Sequence, residues 1–336
     1  MASLKDVARE CNVSVATVSK ALNGHSDVGA ATAKRIRETA KNMGYLPNTA
    51  ARALKTNRTY NLGVIFSDEA HSGLTHSYFS NVLEGFRKSA EDRDYDITFI
   101  SNNHTVHDLS YYERCRSRGV DGIVIACMSN DTVQIEEMIT GSIPVVTIDR
   151  VFNECSSVVS DNAKGMEELV EYAIARGHRK IAYIHGKPSA TTSARLTSYR
   201  STLKKHGIEP DESMILEADY LDADACFECT RQLLSAQDKP TCIIYPDDLA
   251  AMGGIRAITD MGLTIPGDIS VMGYDGARLG QVITPRLTTI LQDTASIGGL
   301  AAQKLIERIE NQEGAHTESI LVAGQLIEGD SVGELV

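Results

Sequence analysis

Tryptophan is absent from this 336-residue chain, and aromatic side chains make up only 5% of it, so any stacking surface must come from tyrosine or phenylalanine. No uninterrupted run of about 18 apolar residues occurs, which argues against a membrane-spanning helix. The opening "MASLKDVARE" lacks the apolar stretch of a secretory signal. Cysteines number seven, an odd count without framework spacing, as expected in a reducing cytoplasm. The one close pair, Cys226 and Cys229 in "ACFECTRQLL", falls in a predicted helix. Plain packing is the expectation there; half a metal site or a redox pair is the alternative, without a second ligand pair to support it. The sequence also lacks a nucleophile–base constellation, a metal-ligand cluster and a Gly-x-Gly-x-x-Gly loop after a strand. An enzyme therefore has no visible machinery, and neither cofactor nor metal is expected.

What is present is an uneven distribution of charge. The net charge is -12, yet residues 1–60 hold ten basic side chains against four acidic ones and stand at +6, leaving -18 for the remainder. A basic head on an acidic body suits a small module for a polyanion, although a basic face is more often plain solvated surface. The length fits two or three domains, and 42% apolar residues are ample for packed cores.

The head reads as three helices. "LKDVARECN" spaces Leu4, Val7, Ala8 and Cys11 along one helical face, and Asn12-Val13 turns the chain. Ser14 is the expected N-cap of "VATVSKALN", where Val18, Ala21 and Leu22 repeat the spacing. A third helix in "GAATAKRIRETAKNMG" turns Ile36, Ala40 and Met43 inward and stops at Gly44. Two short helices on a tight turn with a supporting third make a helix-turn-helix. Pro47 then blocks continuation, Asn48 can cap a new start, and "TAARALK" is helix-forming but too short to stand alone. It is a linker whose helix forms only against a partner.

From Asn61 onward, apolar runs alternate with helical segments. Strands are expected at 62–66, 97–100, 122–127, 144–149, 180–185, 241–245 and 269–275. Near-continuous apolar runs suit strands covered on both faces of parallel sheets, and their number suggests two doubly wound lobes. Ligands in such sheets sit at the carboxyl ends of strands, which here carry Asp149-Arg150, His185, Asp247-Asp248 and Asp275.

At this point the sequence resembles a known family. "LKDVARECNVSVATVSKALNG", "GYLPNTAARALK", "ARGHRKIAYIHG", "AMGGIRAI" and "PGDISVMGYDG" are similar, in order, to segments of the LacI/GalR bacterial transcription regulators. The resemblance implies an all-α helix-turn-helix headpiece and an α/β core of two Rossmann-like lobes, like the sugar-binding proteins of the periplasm. Expected domains are a head at 1–46, a hinge helix and linker at 47–60, and an effector-binding core at 61–336. Within the core, the first lobe takes about 61–160 and 291–322, and the second about 161–290 and 323–336.

The same resemblance assigns roles. Val15, Ala16 and Lys20 match base-reading positions: Val15 and Ala16 can meet a thymine methyl, and Lys20 can donate to guanine O6/N7. Thr17, Ser19, Asn23, Thr32 and Tyr45 match contacts that fix the register, with Thr17 and Ser19 otherwise plain solvent-facing residues. Leu4, Asn48 and Ala51 complete the DNA-binding set with Leu54, which matches a leucine wedged into the minor groove from each of two subunits. Packing of Leu54 against its dimer mate is the alternative, and both readings need a dimer.

For the effector, Arg195 in "SARLTSYR" matches the ligand clamp, and Asp275 in "GYDG" an acceptor of ligand hydroxyl or amine hydrogens. Tyr220 and Phe79 are the stacking candidates. Asp149, Asp161, Asp247 and Asp248 are further candidates, with a strand-end or capping role as the alternative. Two departures from the family pattern stand out: Asp247 where sugar-binding members commonly have asparagine, and Glu328 where arginine is usual. The loop "HGKPSATTSAR" has Pro188 where a phosphate loop needs a hydroxyl residue, so it reads as the approach to the effector site.

The implied protein is a cytoplasmic, nucleoid-associated bacterial regulator and not an enzyme. It is expected to repress from a pseudo-palindromic operator in double-stranded DNA as a homodimer, without a membrane partner, under control of a sugar or related polyhydroxylated metabolite. The alternative is an effector-dependent activator or a corepressor-type regulator answering to a nucleoside or an amine-bearing ligand. Effector and DNA binding must be linked reciprocally.

Overall fold

The computed structural model describes residues 2–22, 27–46, 53, 58–67, 73–101, 109–128, 132–311 and 316–335. Two compact units divide the chain, 1–59 and 60–336.

In the smaller unit, α1 (Leu4–Glu10), α2 (Val15–Leu22) and α3 (Ala30–Asn42) share one core of Val7, Ala8, Cys11, Val18, Ala21, Ala33, Ile36 and Ala40. Ser3 and Asp6 form a capping box that starts α1. The turn into α2 uses Asn12 at φ 50°, and Ser14 caps α2 by accepting from Thr17 N at 3.0 Å. The periodicity of the sequence thus becomes a helix-turn-helix, with Leu4, Leu22 and Met43 at the margin of the core.

The larger unit holds two parallel sheets. Strands β1 (Asn61–Ser67), β2 (Asp96–Phe99), β3 (Gly122–Met128), β4 (Val145–Ile148) and β5 (Ser156–Ser160) belong to the first, and β11 (Ser319–Val322) joins them from near the end of the chain. Their order is β11-β5-β4-β3-β1-β2. The second sheet runs β7-β6-β8-β9, with β6 at Ile181–His185, β7 at Ile215–Glu217, β8 at Cys242–Ile244 and β9 at Ser270–Met272. A short antiparallel pair, β10 (Thr289–Leu291) with β12 (Gln325–Ile327), lies beside the passage between them. The chain crosses between the sheets three times: after β5, after β10, and between β11 and β12.

Helices cover both sheets: α4 (Ser77–Glu91), α5 (Tyr111–Arg118), α6 (Thr132–Thr140) and α12 (Thr294–Glu310) the first, and α7 (Asn162–Ala175), α8 (Ala190–Lys205), α9 (Ala223–Ser235) and α10 (Asp248–Asp260) the second. A short α11 (Arg278–Val282) follows β9. Glycine decides how closely two pairs approach. A Cβ on Gly298 of α12 would sit 1.9 Å from the Val82 carbonyl oxygen of α4, and one on Gly253 of α10 would sit 1.7 Å from that of Ala223 in α9.

The structure corrects some expected boundaries. The strand foreseen over 269–275 stops at Met272, with Asp275 keeping only an isolated parallel bridge to Leu291; the one over 144–149 stops at Ile148. Both end on an aspartate in the left-handed region, Asp149 at φ 57° and Asp275 at φ 95°. Glu328 has a structural account: its carboxylate accepts from Tyr172 Oη at 3.1 Å and Arg176 Nη2 at 3.0 Å, while the Arg176 guanidinium lies over the Tyr172 ring.

Candidate functional site

On the head, the N-terminal part of α2 faces solvent. Val15 is 43% exposed despite being apolar, Ala16 and Lys20 are exposed, and Thr17 and Ser19 are half-buried beside them. Val18 is fully buried, as its spacing requires. The Thr17 hydroxyl lies 2.8 Å from that of Ser14 at the cap, and Lys20 donates to Asp27. Thr32 is half-buried at the start of α3. Leu4 and Tyr45 pack against the head core and keep part of their surface in solvent. Asn23, Asn48, Ala51 and Leu54 lie outside the described residues.

In the larger unit the strand-end aspartates divide into two sets. Asp161 caps α7 by accepting from Lys164 N at 3.0 Å. Asp247 caps α10 through Ala250 N at 2.8 Å and uses its other oxygen on Leu221 N, also at 2.8 Å, which holds the turn beside Tyr220. Asp248 is 0% exposed and accepts from Thr289 Oγ1 on one oxygen and from Ala277 N on the other. Asp248 therefore latches the start of α10 to β10 and to the turn after β9. Asp149 and Asp275 begin no helix.

Those two are joined by a chain of polar side chains that the sequence did not suggest. The Tyr78 hydroxyl, at the start of α4, donates to Asp149 Oδ2 and lies 3.3 Å from Ser160 Oγ. Asp149 Oδ1 accepts from Ser160 N at 3.0 Å. Ser160 Oγ donates to the Gln292 amide oxygen, and Gln292 Nε2 donates to Asp275 Oδ1 at 2.6 Å. The chain runs from the first lobe through residues at two crossings to the second. Gln292 follows β10 at its carboxyl end, so the strand-end rule could have found it; nothing local marks Tyr78.

Arg195 is 3% exposed. Its Nε donates to Asn162 Oδ1 at 2.7 Å, its Nη1 to the Pro246 carbonyl at 2.9 Å, and its guanidinium carbon lies 3.4 Å from the centre of the Tyr274 ring. Within the described residues, Nη2 of Arg195 and Oδ2 of Asp275 take no hydrogen bond. The second lobe thus leaves one donor of Arg195 and one acceptor of Asp275 without a hydrogen bond among the described residues. Tyr220 is held by a 2.9 Å contact between its hydroxyl and Thr192 Oγ1, with Lys187 paired to Asp219 at 2.8 Å alongside. Phe79 packs among Phe66, His76 and Tyr78 on the first lobe. The loop before α8 ends on Ser189, which caps that helix.

Burial dominates the electrostatics. It raises the carboxyls of Asp149 and Asp275, against the lowering pull of Arg195 on both. Burial, with Asp275 nearby, pushes Asp247 up to about 6. A carboxyl raised in the folded state adds no cost at low pH, and the cost grows as pH climbs from the unfolded value of 3.8 through about 6. Asp247→Asn is therefore expected to gain stability relative to wild type as pH rises from about 4 to about 7, by of order 2 kcal/mol. Urea unfolding at both ends of that range reads the difference; a difference that does not change with pH would mean an ordinary carboxylate.

Among the described residues no group of three metal-ligating side chains converges. Cys226 and Cys229 lie on α9 with thiols pushed up by burial, which suits packing and not redox chemistry.

Two family models match the chain. Residues 3–48 match "Bacterial regulatory proteins, lacI family", and residues 59–329 match "Periplasmic binding proteins and sugar binding domain of LacI family". The chain belongs to the LacI family. Among its relatives is the probable HTH-type transcriptional repressor ExuR of Bacillus subtilis (strain 168), 32% identical over 100% of this chain and 99% of the relative. The HTH-type transcriptional repressor PurR of Klebsiella pneumoniae (strain 342) is 33% identical over 99% and 98%. Among solved structures, the lac repressor dimer bound to operator and the anti-inducer ONPF matches with a TM-score of 0.80 and 26% identity, over 99% of both chains. This LacI-family chain is accordingly a DNA-binding transcription regulator with an effector domain, and not an enzyme. No helix among its described residues is long and apolar enough to cross a membrane.

Proposed function

We propose that this regulator is a repressor that binds a pseudo-palindromic operator as a homodimer and answers to a sugar or other polyhydroxylated metabolite held between its lobes. The relatives ExuR, a probable repressor, and PurR, a repressor, together with the operator-bound lac repressor dimer, support repression and a dimer. The observation that carries the effector class is that, among the described residues, Arg195 Nη2 and Asp275 Oδ2 take no hydrogen bond while the two groups feel each other's charge. A hydroxyl can accept from the first and donate to the second, so adjacent hydroxyls satisfy both. Phosphate can only accept, and it would meet Asp149 and Asp275. An amine-bearing ligand is the second reading, favoured by two buried carboxylates that share Arg195 as counter-charge. In either case Asp149, Arg195, Tyr220, Asp275 and Phe79 are the proposed contacts, with Asp161 and Asp247 behind them as capping residues.

Thermal unfolding of the full chain against sugars, polyols, nucleosides, amines and sugar phosphates tests this. A ligand at 100 times its Kd adds about 2.7 kcal/mol to stability. A neutral polyol or sugar that stabilises the chain is the expected result; stabilisation by sugar phosphates alone would overturn it. For the DNA reading, each phosphate neutralised steepens the salt dependence, with a slope of roughly -0.9 per contact. Leu54→Ala is expected to weaken binding to the preferred site far more than binding to unrelated DNA, because a wedge contributes only where the duplex kinks. Equal losses on both DNAs would remove the wedge.

A further inference from the structure

The reading face of α2 carries one basic side chain, Lys20, and that side chain is not alone: its ammonium donates to Asp27, just ahead of α3. Both side chains are about half exposed, at 51% and 52%. Of the four acids in residues 1–60, Asp6 is occupied by the Ser3 capping box, whereas Asp27 is set against the lysine that faces DNA. Exposed ion pairs contribute little to folding. On a surface that must approach phosphates, a carboxylate is a liability unless it meets a donor.

The major groove supplies one. Along the edge of a G·C pair, guanine presents the acceptors N7 and O6, and cytosine N4 presents a donor. An ammonium in contact with a carboxylate is complementary to that sequence of groups. At an A·T pair the same carboxylate would face thymine O4, an acceptor, and be repelled. We propose that Lys20 and Asp27 read one G·C base pair together, Lys20 donating to guanine O6/N7 and Asp27 accepting from cytosine N4. Asp27 also holds the flexible lysine stem in place and neutralises its charge, which weakens the pull of unrelated phosphates. The proposal makes Asp27 a specificity-determining residue and rests on the proposed base-reading role of Lys20.

The experiment uses the full chain. Preferred duplexes are selected from random DNA, and binding of wild type, Asp27→Asn, Asp27→Glu and Lys20→Ala is then measured on all single-base variants at several salt concentrations. Asp27→Asn is expected to lose at least tenfold of the preference for G·C at one position. It should also bind unselected DNA more tightly, with the salt slope steeper by about 0.9 as Lys20 turns to a phosphate. Asp27→Glu keeps the charge and the wild-type slope but loses preference at that same position. Lys20→Ala loses the preference there as well. If Asp27→Asn tightens binding to every sequence alike and leaves base preference intact, Asp27 is only a screening charge and the proposal falls. If Lys20→Ala leaves every base preference unchanged, or if selection enriches no site, the role of Lys20 itself falls. Half-exposed side chains at both positions leave the head core intact, and an unchanged melting curve for each variant verifies this.

Discussion

Arg195→Leu is expected to weaken effector binding by about 2–5 kcal/mol, roughly 30- to 5,000-fold, and to destabilise the larger unit as well. The guanidinium is buried and does three things at once. It bonds Asn162 and the Pro246 carbonyl, lies on the Tyr274 ring, and is the cation that pulls the Asp149 and Asp275 carboxyls down. Leucine fills part of the space but leaves two acceptors unmet and two buried carboxylates without a counter-charge. Breaking a buried charged arrangement from one side typically costs about 3–5 kcal/mol. Arg195→Lys separates the two effects. A lysine keeps the charge near the aspartates but cannot place donors in three directions, so it should recover much of the stability and little of the ligand affinity. Urea unfolding gives the first quantity, and titration with the ligand from the stabilisation panel gives the second. Full ligand affinity in both variants would mean that the effector does not use Arg195.

The second large effect sits far from any ligand. Gly298→Ala is expected to cost about 3 kcal/mol or more, because the new methyl would meet the backbone of α4 at Val82 and Phe86, where no side chain can swing aside. Relief requires α4 and α12 to move apart, which loosens the packing of Val82, Phe86, Ile297 and Ala301 in the first lobe. The neighbouring residue is the control. Nothing lies within 4 Å of a Cβ on Gly299, so Gly299→Ala should gain the helix preference of alanine, up to about 1 kcal/mol. Adjacent substitutions of the same kind thus carry opposite signs. Denaturant midpoints of the two variants decide the matter, and similar midpoints would mean that the helices do not cross closely.

The head was legible in the sequence because helical periodicity and Ser14 are local signals. The central strands were legible for a related reason: β3 and β4 are covered on both faces, so they read as unbroken apolar runs. Strand β7 is three residues with a half-buried pattern, and β11 alternates exposed and half-buried residues, so neither stands out from a loop. At the candidate site, sequence position flagged strand-end aspartates without separating their roles. Capping explains Asp161 and Asp247, and a buried latch explains Asp248. The left-handed backbone at Asp149 and Asp275, invisible in the sequence, turns those two out of the helix-starting role. Tyr78, Ser160 and Gln292 come together only because the chain crosses between the sheets, and no spacing rule reaches across 132 residues from Ser160 to Gln292.

The path of the chain through its sheets also bears on how it is made. The second sheet is contiguous in sequence from β6 to β9, whereas the first depends on α12 and β11, which come from beyond residue 290. Ile297, Ala301, Leu305 and Ile306 of α12 are part of the core that seals the first sheet. A ribosome therefore synthesises β1 to β5 early and leaves one face of that sheet only partly covered, by α4, until α12 has emerged. Domains usually close in order of synthesis. Here the later sheet can close before the earlier one, and the nascent chain must keep an apolar face from aggregating in the interval.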